Sequence, residues 1–471
     1  MRTHVTLVNP PLPRGSYQHP PLPSLGLGYL AAVLEKNQHE VDLIDFQTTS
    51  VTLEEFRNEI SRRQPDIVGI TSVILSYKSA LQIAEIAKEV SSKCLTVVGG
   101  HFVSFWDEKA LQECASLDIV ARKEGEYTLL ELAERVKAGK DYHDVLGITC
   151  RKDGEIVRNP DRPYIENLDE LPFPARHLWP IEAFQRYGTF FLLTSRGCVQ
   201  WCNFCIEVRM DGRKCRMRSP RNVVDELEFL HNTYGAEYFV FLDDAFTLNK
   251  RRVEEICQTI KNRKLKIKWG CETRVDMVTK ELLLKMKEAG CVAVWFGIES
   301  GSQRVLNAMG KGISLAQTIR AFKWAKEVGL KPNPNIVLGF PGETKKTAWE
   351  TIKFVKRLVP DYMSCYTVAT PYPGTPMYDL VKEKGWLKIT DFDKYDTATP
   401  TFETPWLSMK ELERIYEQVF KSYYLDPTHV LRMFAKGGTY TLSATRRAFA
   451  DLLIAIRSKL QRNNPRVFVK T

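Results

Sequence analysis

The chain lacks long apolar runs: no segment approaches the ~18 uninterrupted apolar residues of a membrane-spanning helix. Its first ten residues reach apolar side chains almost at once and end in Asn9-Pro10. They carry no charged region, long apolar core or small-residue cleavage site of a secretory leader, so we expect a cytoplasmic protein. Cysteine is also sparse, with eleven in 471 residues, too few for a disulfide scaffold. Strong compositional bias is absent as well. The 44% hydrophobic and 26% charged fractions exclude disordered and collagen-like classes. At ~150 residues per domain the length implies about three domains.

Acidic residues are scarce in one place only. From Lys421 to Thr471 ten Lys and Arg face two Asp, a local charge of +8 out of +10 for the chain. The basic character therefore belongs to an appendage and says little about the main body's partner. Within it, Thr441–Arg462 has helical periodicity, with Phe449, Leu452, Leu453, Ile456 and Leu460 on one face and Arg446, Arg457 and Lys459 beside it. Such a helix either lies on an anionic membrane surface or packs on the protein with a solvated basic rim. No RNA-binding module is visible, so nucleic acid is not an expected partner.

Residues 1–137 alternate short apolar runs (Val5–Val8, Val41–Ile44, Ile67–Ile70, Leu95–Val98, Ile119–Val120) with helical patterns (Leu27–Leu34, Leu53–Ile60, Ala80–Val90, Lys109–Cys114, Tyr127–Val136). This predicts an α/β, doubly wound, Rossmann-like domain of flavodoxin-like strand order over residues 1–145. Such folds bind ligands beyond the carboxyl ends of their strands. Those ends carry Asn9-Pro10-Pro11, Thr71-Ser72, Gly99-Gly100-His101 and Glu124-Gly125-Glu126. Ser72, Gly99, Gly100, Gly125 and Glu126 are thus candidate ligand contacts.

With its Pro23-Ser24-Leu25-Gly26-Leu27-Gly28-Tyr29-Leu30-Ala31-Ala32 stretch, Gly99-Gly100-His101 turn and Gly125-Glu126, the segment resembles the cobalamin-binding domain of many radical S-adenosylmethionine (SAM) enzymes. The resemblance implies that the five candidates contact cobalamin. The Asp-x-His-x-x-Gly that gives cobalt a histidine in methionine-synthase-type domains is missing, and His19 does not fit it. Cobalt is therefore expected to have no protein histidine.

Residues 146–185 read as a linker. Gly147–Lys152 and Glu155–Val157 flank the hairpin signal Asp153-Gly154, and Leu171-Pro172-Phe173-Pro174 breaks regular structure. Phe190–Thr194 then runs into Cys198-x3-Cys202-x2-Cys205. Zinc normally takes four ligands, and no fourth Cys or His stands at a matching interval; Cys215 is ten residues on. Three thiolates on a tight loop suit a [4Fe–4S] cluster with one iron open to a small chelating ligand.

This is the motif of the radical SAM superfamily, which the chain resembles from about Thr189 to Lys384. Six strand candidates, Thr189–Ser195, Tyr238–Leu242, Lys268–Glu272, Val292–Gly297, Pro334–Leu338 and Tyr362–Val368, alternate with helices. They predict a partial (βα)6 barrel over 186–390, with its site at the carboxyl strand ends. A C-terminal helical basic region, 391–471, follows, with one helix at Met409–Tyr423 and the other as above. The resemblance implies that SAM chelates the open iron. It also implies SAM contacts from Phe204, Asp243, Asp244, Glu299, Ser300, Gly339 and Glu343.

The same resemblance implies a cobalamin-dependent enzyme that cleaves SAM to a 5′-deoxyadenosyl radical for C–H functionalisation. C-methylation of an apolar lipid or tetrapyrrole is the leading outcome, and a ferredoxin or flavodoxin the expected electron donor. Ring closure or another C–C bond formation is an alternative. A methylthiotransferase would need a second cysteine triad, yet only Cys94, Cys114 and Cys150 precede Cys198, two of them in or beside strand runs. A cobalamin-binding sensor is disfavoured by the intact cysteine loop.

Overall fold

A computed structural model describes residues 2–13, 23–185, 188–358 and 365–424. The predicted helix at 441–462 and nearly all of the basic tail lie outside these residues, as does His19.

The first domain is built on β1 (His4–Asn9), β2 (Glu40–Asp45), β3 (Ile67–Thr71), β4 (Leu95–Gly99), β5 (Ile119–Ala121), β6 (Ile148–Lys152) and β7 (Glu155–Arg158). Their order is β2-β1-β3-β4-β5-β6-β7, and the first five are parallel. This is the flavodoxin-like order expected. Alternate side chains feed opposite faces. Leu7, Val97 and Ile119 pack towards Leu27, Leu34 and Leu132, while Val8, Val98 and Val120 join Phe56, Ile83 and Leu111. Burial on both faces is why these strands read as continuous apolar runs.

One expectation is corrected. The hairpin read as linker extends the first sheet: β6 pairs antiparallel with β5, setting Ile119 beside Cys150 and Ala121 beside Ile148. Asp153 and Gly154 both take positive φ, 50° and 85°, as a tight two-residue hairpin turn requires. Without the hairpin, β5 would present a bare buried edge. The connector that follows returns over the domain: Ala175 donates to the Gly28 carbonyl at 2.9 Å and the Trp179 indole to Asp45 at 2.7 Å. A side chain on Gly28 would strike Pro174, which accounts for that glycine.

The second domain is a six-stranded parallel sheet made of β8 (Phe190–Leu192), β11 (Tyr238–Phe241), β12 (Lys268–Thr273), β13 (Cys291–Glu299), β14 (Lys331–Leu338) and β15 (Cys365–Val368), in the order β15-β14-β13-β12-β11-β8. Between β8 and β11, a short antiparallel clip joins β9 (Ser195–Arg196) to β10 (Arg216–Met217). The predicted Thr189–Ser195 strand is thus two pieces. Helices Pro220–Tyr234, Lys250–Asn262, Lys280–Glu288, Leu315–Glu327 and Lys345–Leu358 cover the outside, and Glu226 in the first is fully buried between Arg176 and Arg218.

After the barrel the chain goes back to the first domain. Phe392 packs against Tyr77, Phe102 and Trp106, and Lys78 pairs with Asp391 at 2.6 Å. Helix Met409–Tyr424 then adds Leu412, Ile415 and Val419 to the barrel core. Among the described residues no helix is long and apolar enough to cross a membrane.

Candidate active site

The cysteine loop is shaped by contacts that do not involve its sulfurs. Gly197 (φ 88°) makes the turn into Cys198, and a Cβ there would overlap the Lys214 carbonyl and Asp211. The Cys205 amide donates to the Cys202 carbonyl at 3.1 Å, and Asn203 is held between the Met309 carbonyl (2.9 Å) and the Met377 amide (3.0 Å). Beneath it, buried Asp243 accepts from the Thr194 amide at 2.7 Å and from the hydroxyls of Thr194 and Ser195. Asp243 therefore ties down the strand end that launches the loop.

Across the strand ends, Glu299 sits in a bulge of β13 with φ 56°, a strained position for a non-glycine residue. Its carboxylate receives the ammonium of Lys311 at 2.6 Å, both side chains buried. Arg274 is 3% exposed. Its guanidinium donates to Asp276 and to the Lys311 carbonyl at 2.7 Å, which leaves the buried Nη1 with no partner. Burial pushes the Cys202 thiol up, while Lys311 and Arg274 pull it back. Burial likewise raises Cys198 and Cys205.

A cavity of about 510 Å³ joins this loop to the rim of the first sheet. Its floor is Gly69, Gly99, Gly100 and Ala121; Arg196, Gly197, Met210, Leu242 and Asp244 line it from the barrel. Two carboxylates brace the joint. Arg196, next to the cysteine loop, donates to Glu124 at 2.7 Å and to Glu126 at 2.6 Å, and Arg216 donates to Glu124 at 2.7 Å. His101 and Glu207 face each other across the cavity at 3.6 Å. Enclosure drives the Glu207 carboxyl up to about 7 and that of Asp244 to about 8, the latter helped by Glu207 and Asp211.

Residues 192–355 match the Radical SAM superfamily model and residues 19–133 the B12 binding domain model. A Pyrococcus horikoshii protein named an uncharacterized methyltransferase is 37% identical, across 87% of this chain and 89% of its own. The chain belongs to the cobalamin-binding radical SAM family. An anaerobic magnesium-protoporphyrin IX monomethyl ester cyclase of Rubrivivax gelatinosus is 29% identical over 88% of this chain and 76% of its own. The radical SAM methyltransferase TsrM of Kitasatospora setae, solved with cobalamin and a [4Fe–4S] cluster, shares the fold at a TM-score of 0.70 and 20% identity, covering 82% of this chain and 75% of its own. This radical SAM enzyme is therefore methyltransferase-like, and the family's cofactors are a [4Fe–4S] cluster, SAM and cobalamin.

The residues present fit those groups. The orphaned Nη1 of Arg274 and the nearby Lys311 supply buried positive charge beside Cys202, as an anionic cluster and the carboxylate of SAM demand. Among the described residues no three His, Cys, Asp or Glu side chains converge on a single ion. A cluster needs no such point, because each thiolate meets its own iron. The bare cavity floor lets a broad, flat macrocycle lie against backbone.

Of the residues singled out from sequence, Gly99, Gly100, Gly125, Glu126 and Asp244 line the cavity. Ser72 does not: it is fully buried, its amide donating to the Gly99 carbonyl at 2.7 Å, and it abuts Gly100. The carboxylates of Asp243 and Glu126 are taken up by the loop and by Arg196. Ser300 is buried in its own turn, with its hydroxyl 3.0 Å from Thr351. Phe204 and Phe340 meet edge to face at 6.4 Å, so the cysteine loop touches the Gly339–Glu343 turn. Arg196, Arg274, Lys311 and His101 were not selected from sequence. Arg196 and His101 were marked only as neighbours of Gly197-Cys198 and Gly99-Gly100, Arg274 only by following the third barrel strand, and Lys311 by no pattern.

Glu343 accepts from the Gly339 amide, while its other oxygen is buried without a partner. Burial pushes its carboxyl from 4.5 up to about 8. Folded, it stays protonated at neutral pH; unfolded, it ionises above about 4.5. Its contribution to stability is therefore complete below pH 4.5 and is lost as pH rises towards 8. Glu343→Gln keeps the acceptor and cannot ionise. Its thermal midpoint is expected to gain on the wild type as pH rises through that window. A difference that stays flat with pH would show that Glu343 is ionised in the fold.

Proposed function

We propose that this enzyme is a cobalamin-dependent C-methyltransferase of a bulky, largely apolar substrate, a lipid or a tetrapyrrole, in which Cys198, Cys202 and Cys205 hold the cluster. The observation that carries this reading is the single cavity running from the glycine floor of the first sheet to the cysteine loop. When bound, the cluster and SAM supply a hydrogen-abstracting radical and cobalamin a transferable methyl group. The chain's own residues position and enclose. Asp243 fixes the loop, and Arg274 and Lys311 balance negative charge beside Cys202. Residues 1 to about 158 offer the floor, where Gly99, Gly100 and Gly125 would hold cobalamin, while the barrel's Phe204, Glu299 and Gly339 turn would hold SAM. Apolar Leu30, Leu129 and Leu242 on the cavity wall favour an apolar substrate.

The test is anoxic incubation of reconstituted full-length protein with SAM, methylcobalamin, a chemical reductant and a panel of tetrapyrroles and polycyclic lipids. We expect 5′-deoxyadenosine together with a product heavier by one methylene. The likeness to the cyclase supports a second reading, ring closure, which predicts 5′-deoxyadenosine with no methyl gain. Turnover only on small polar substrates would refute the apolar class.

A further inference from the structure

Along the barrel strands every second side chain turns away from the helices. On β14, Pro332, Pro334, Ile336 and Leu338 are buried, while Asn333, Asn335 and Val337 between them are half-buried. Side chains alternate across a strand, so this second row faces the hollow of the sheet. A closed barrel would pack that row tight; here the hollow is open. The strand pairings draw one belt across it. Leu192 is level with Phe241 and Phe241 with Cys271, so their successors Leu193, Leu242 and Glu272 stand side by side. Glu272 in turn pairs with Trp295, and Trp295 with Asn333. Leu193 and Leu242 also line the cavity, which the belt therefore continues. The Trp295 ring lies where a Cβ on Gly270 would be, and a Cβ on Gly297 would meet the Glu299 carboxylate and the Lys311 ammonium. That buried pair overhangs the same hollow. Glu272 is the polar group left over: among the described residues nothing donates to its carboxyl or pairs with it. Enclosure and the nearby Glu299 charge push that carboxyl up.

We propose that Glu272, beside the Trp295 ring, selects the substrate by accepting a hydrogen bond from a hydroxyl or amino group on an otherwise apolar body, and disfavours a carboxylate there. This deepens the function proposed above, and rests on that reading for the claim that the occupant is the substrate. An enclosed acceptor without a partner is costly. A site built round one therefore discriminates strongly against analogues that lack the matching donor. The indole beside it suits an ammonium as well as a hydroxyl. A carboxylate would meet two like charges, Glu272 and Glu299, at close range. Leu193, Leu242 and Trp295 offer the rest of the belt to an apolar body. Glu272 positions and selects; no bond is made or broken on it.

The test measures uptake by the reconstituted full chain, with SAM present, in equilibrium dialysis. The probes share one polycyclic apolar body: adamantanol, adamantanamine and adamantanecarboxylate. Wild type is expected to hold the alcohol and the amine ~10-fold or more tighter than the carboxylate. Glu272→Leu should lose that preference, with SAM affinity and iron content unchanged. Glu272→Gln, which still accepts but carries no charge, should keep the alcohol and lose the amine. Equal uptake of all three probes by wild type, or a preference that survives Glu272→Leu, would overturn the proposal. So would a matching loss of SAM affinity in that variant, because the ribose hydroxyls of SAM offer the same donors. Selective uptake by wild type with no apolar compound methylated would instead fault the proposed function and leave the selectivity of Glu272 standing.

Discussion

Alanine at Cys198, Cys202 and Cys205 together is expected to take reconstituted iron from about four per chain to none and to abolish 5′-deoxyadenosine formation. Burial raises all three thiols above their ordinary value, so without metal they stay protonated; iron is what converts them to thiolates. The polypeptide should nevertheless fold. The loop is stapled through Asn203 to Met309 and Met377 and through Asp243 to Thr194, none of which needs a sulfur. Iron that survived the triple substitution, in a protein with unchanged circular dichroism, would defeat the assignment. Binding of a second full cluster would instead revive the methylthiotransferase reading.

The next largest effect is expected at Arg196. Its guanidinium holds Glu124 and Glu126 of the first domain, and the three side chains are mostly buried. Truncating it to alanine leaves two carboxylates without their main counter-ion; removing one partner of a buried pair costs about 3–5 kcal/mol. For a domain of this size that corresponds to a drop on the order of 10 °C in thermal midpoint. Part of the loss should return in Arg196→Ala/Glu124→Gln/Glu126→Gln, because that variant no longer buries unpaired charge. Cobalamin affinity should fall with it, since the same loop lines the cavity. A thermal midpoint within a degree or two of wild type would show that the joint carries no load.

What sequence showed and what it concealed divide along physical lines. The first sheet was legible because both faces of its strands are buried, giving unbroken apolar runs, and because Asp153-Gly154 can do little else than turn. That the hairpin belongs to the sheet was not legible, since pairing with β5 is a long-range choice made by an unsatisfied edge. Cys198, Cys202 and Cys205 were singled out by their spacing. Asp243 looked like a ligand because it follows a strand, yet its oxygens are spent on Thr194 and Ser195, contacts separated by about fifty residues. Lys311 stood out in no pattern and Arg274 only as a residue following a barrel strand, because a buried cation is unusual only once its burial is seen. The tail's helix at 441–462 falls outside the described residues.

The barrel sheet runs from β15 to β8 and stops; among the described residues these two edges pair with no further strand. A closed eight-stranded barrel fixes its bore by its strand count and fills it with side chains. A sheet with two loose edges has no such fixed circumference. A change in its curvature, spread over six strands, would break no ladder hydrogen bond. The consequence is mechanical: the girth of this half-barrel is set by the curvature of its strands and by what packs along its two free edges, not by a closed ring of ladder hydrogen bonds.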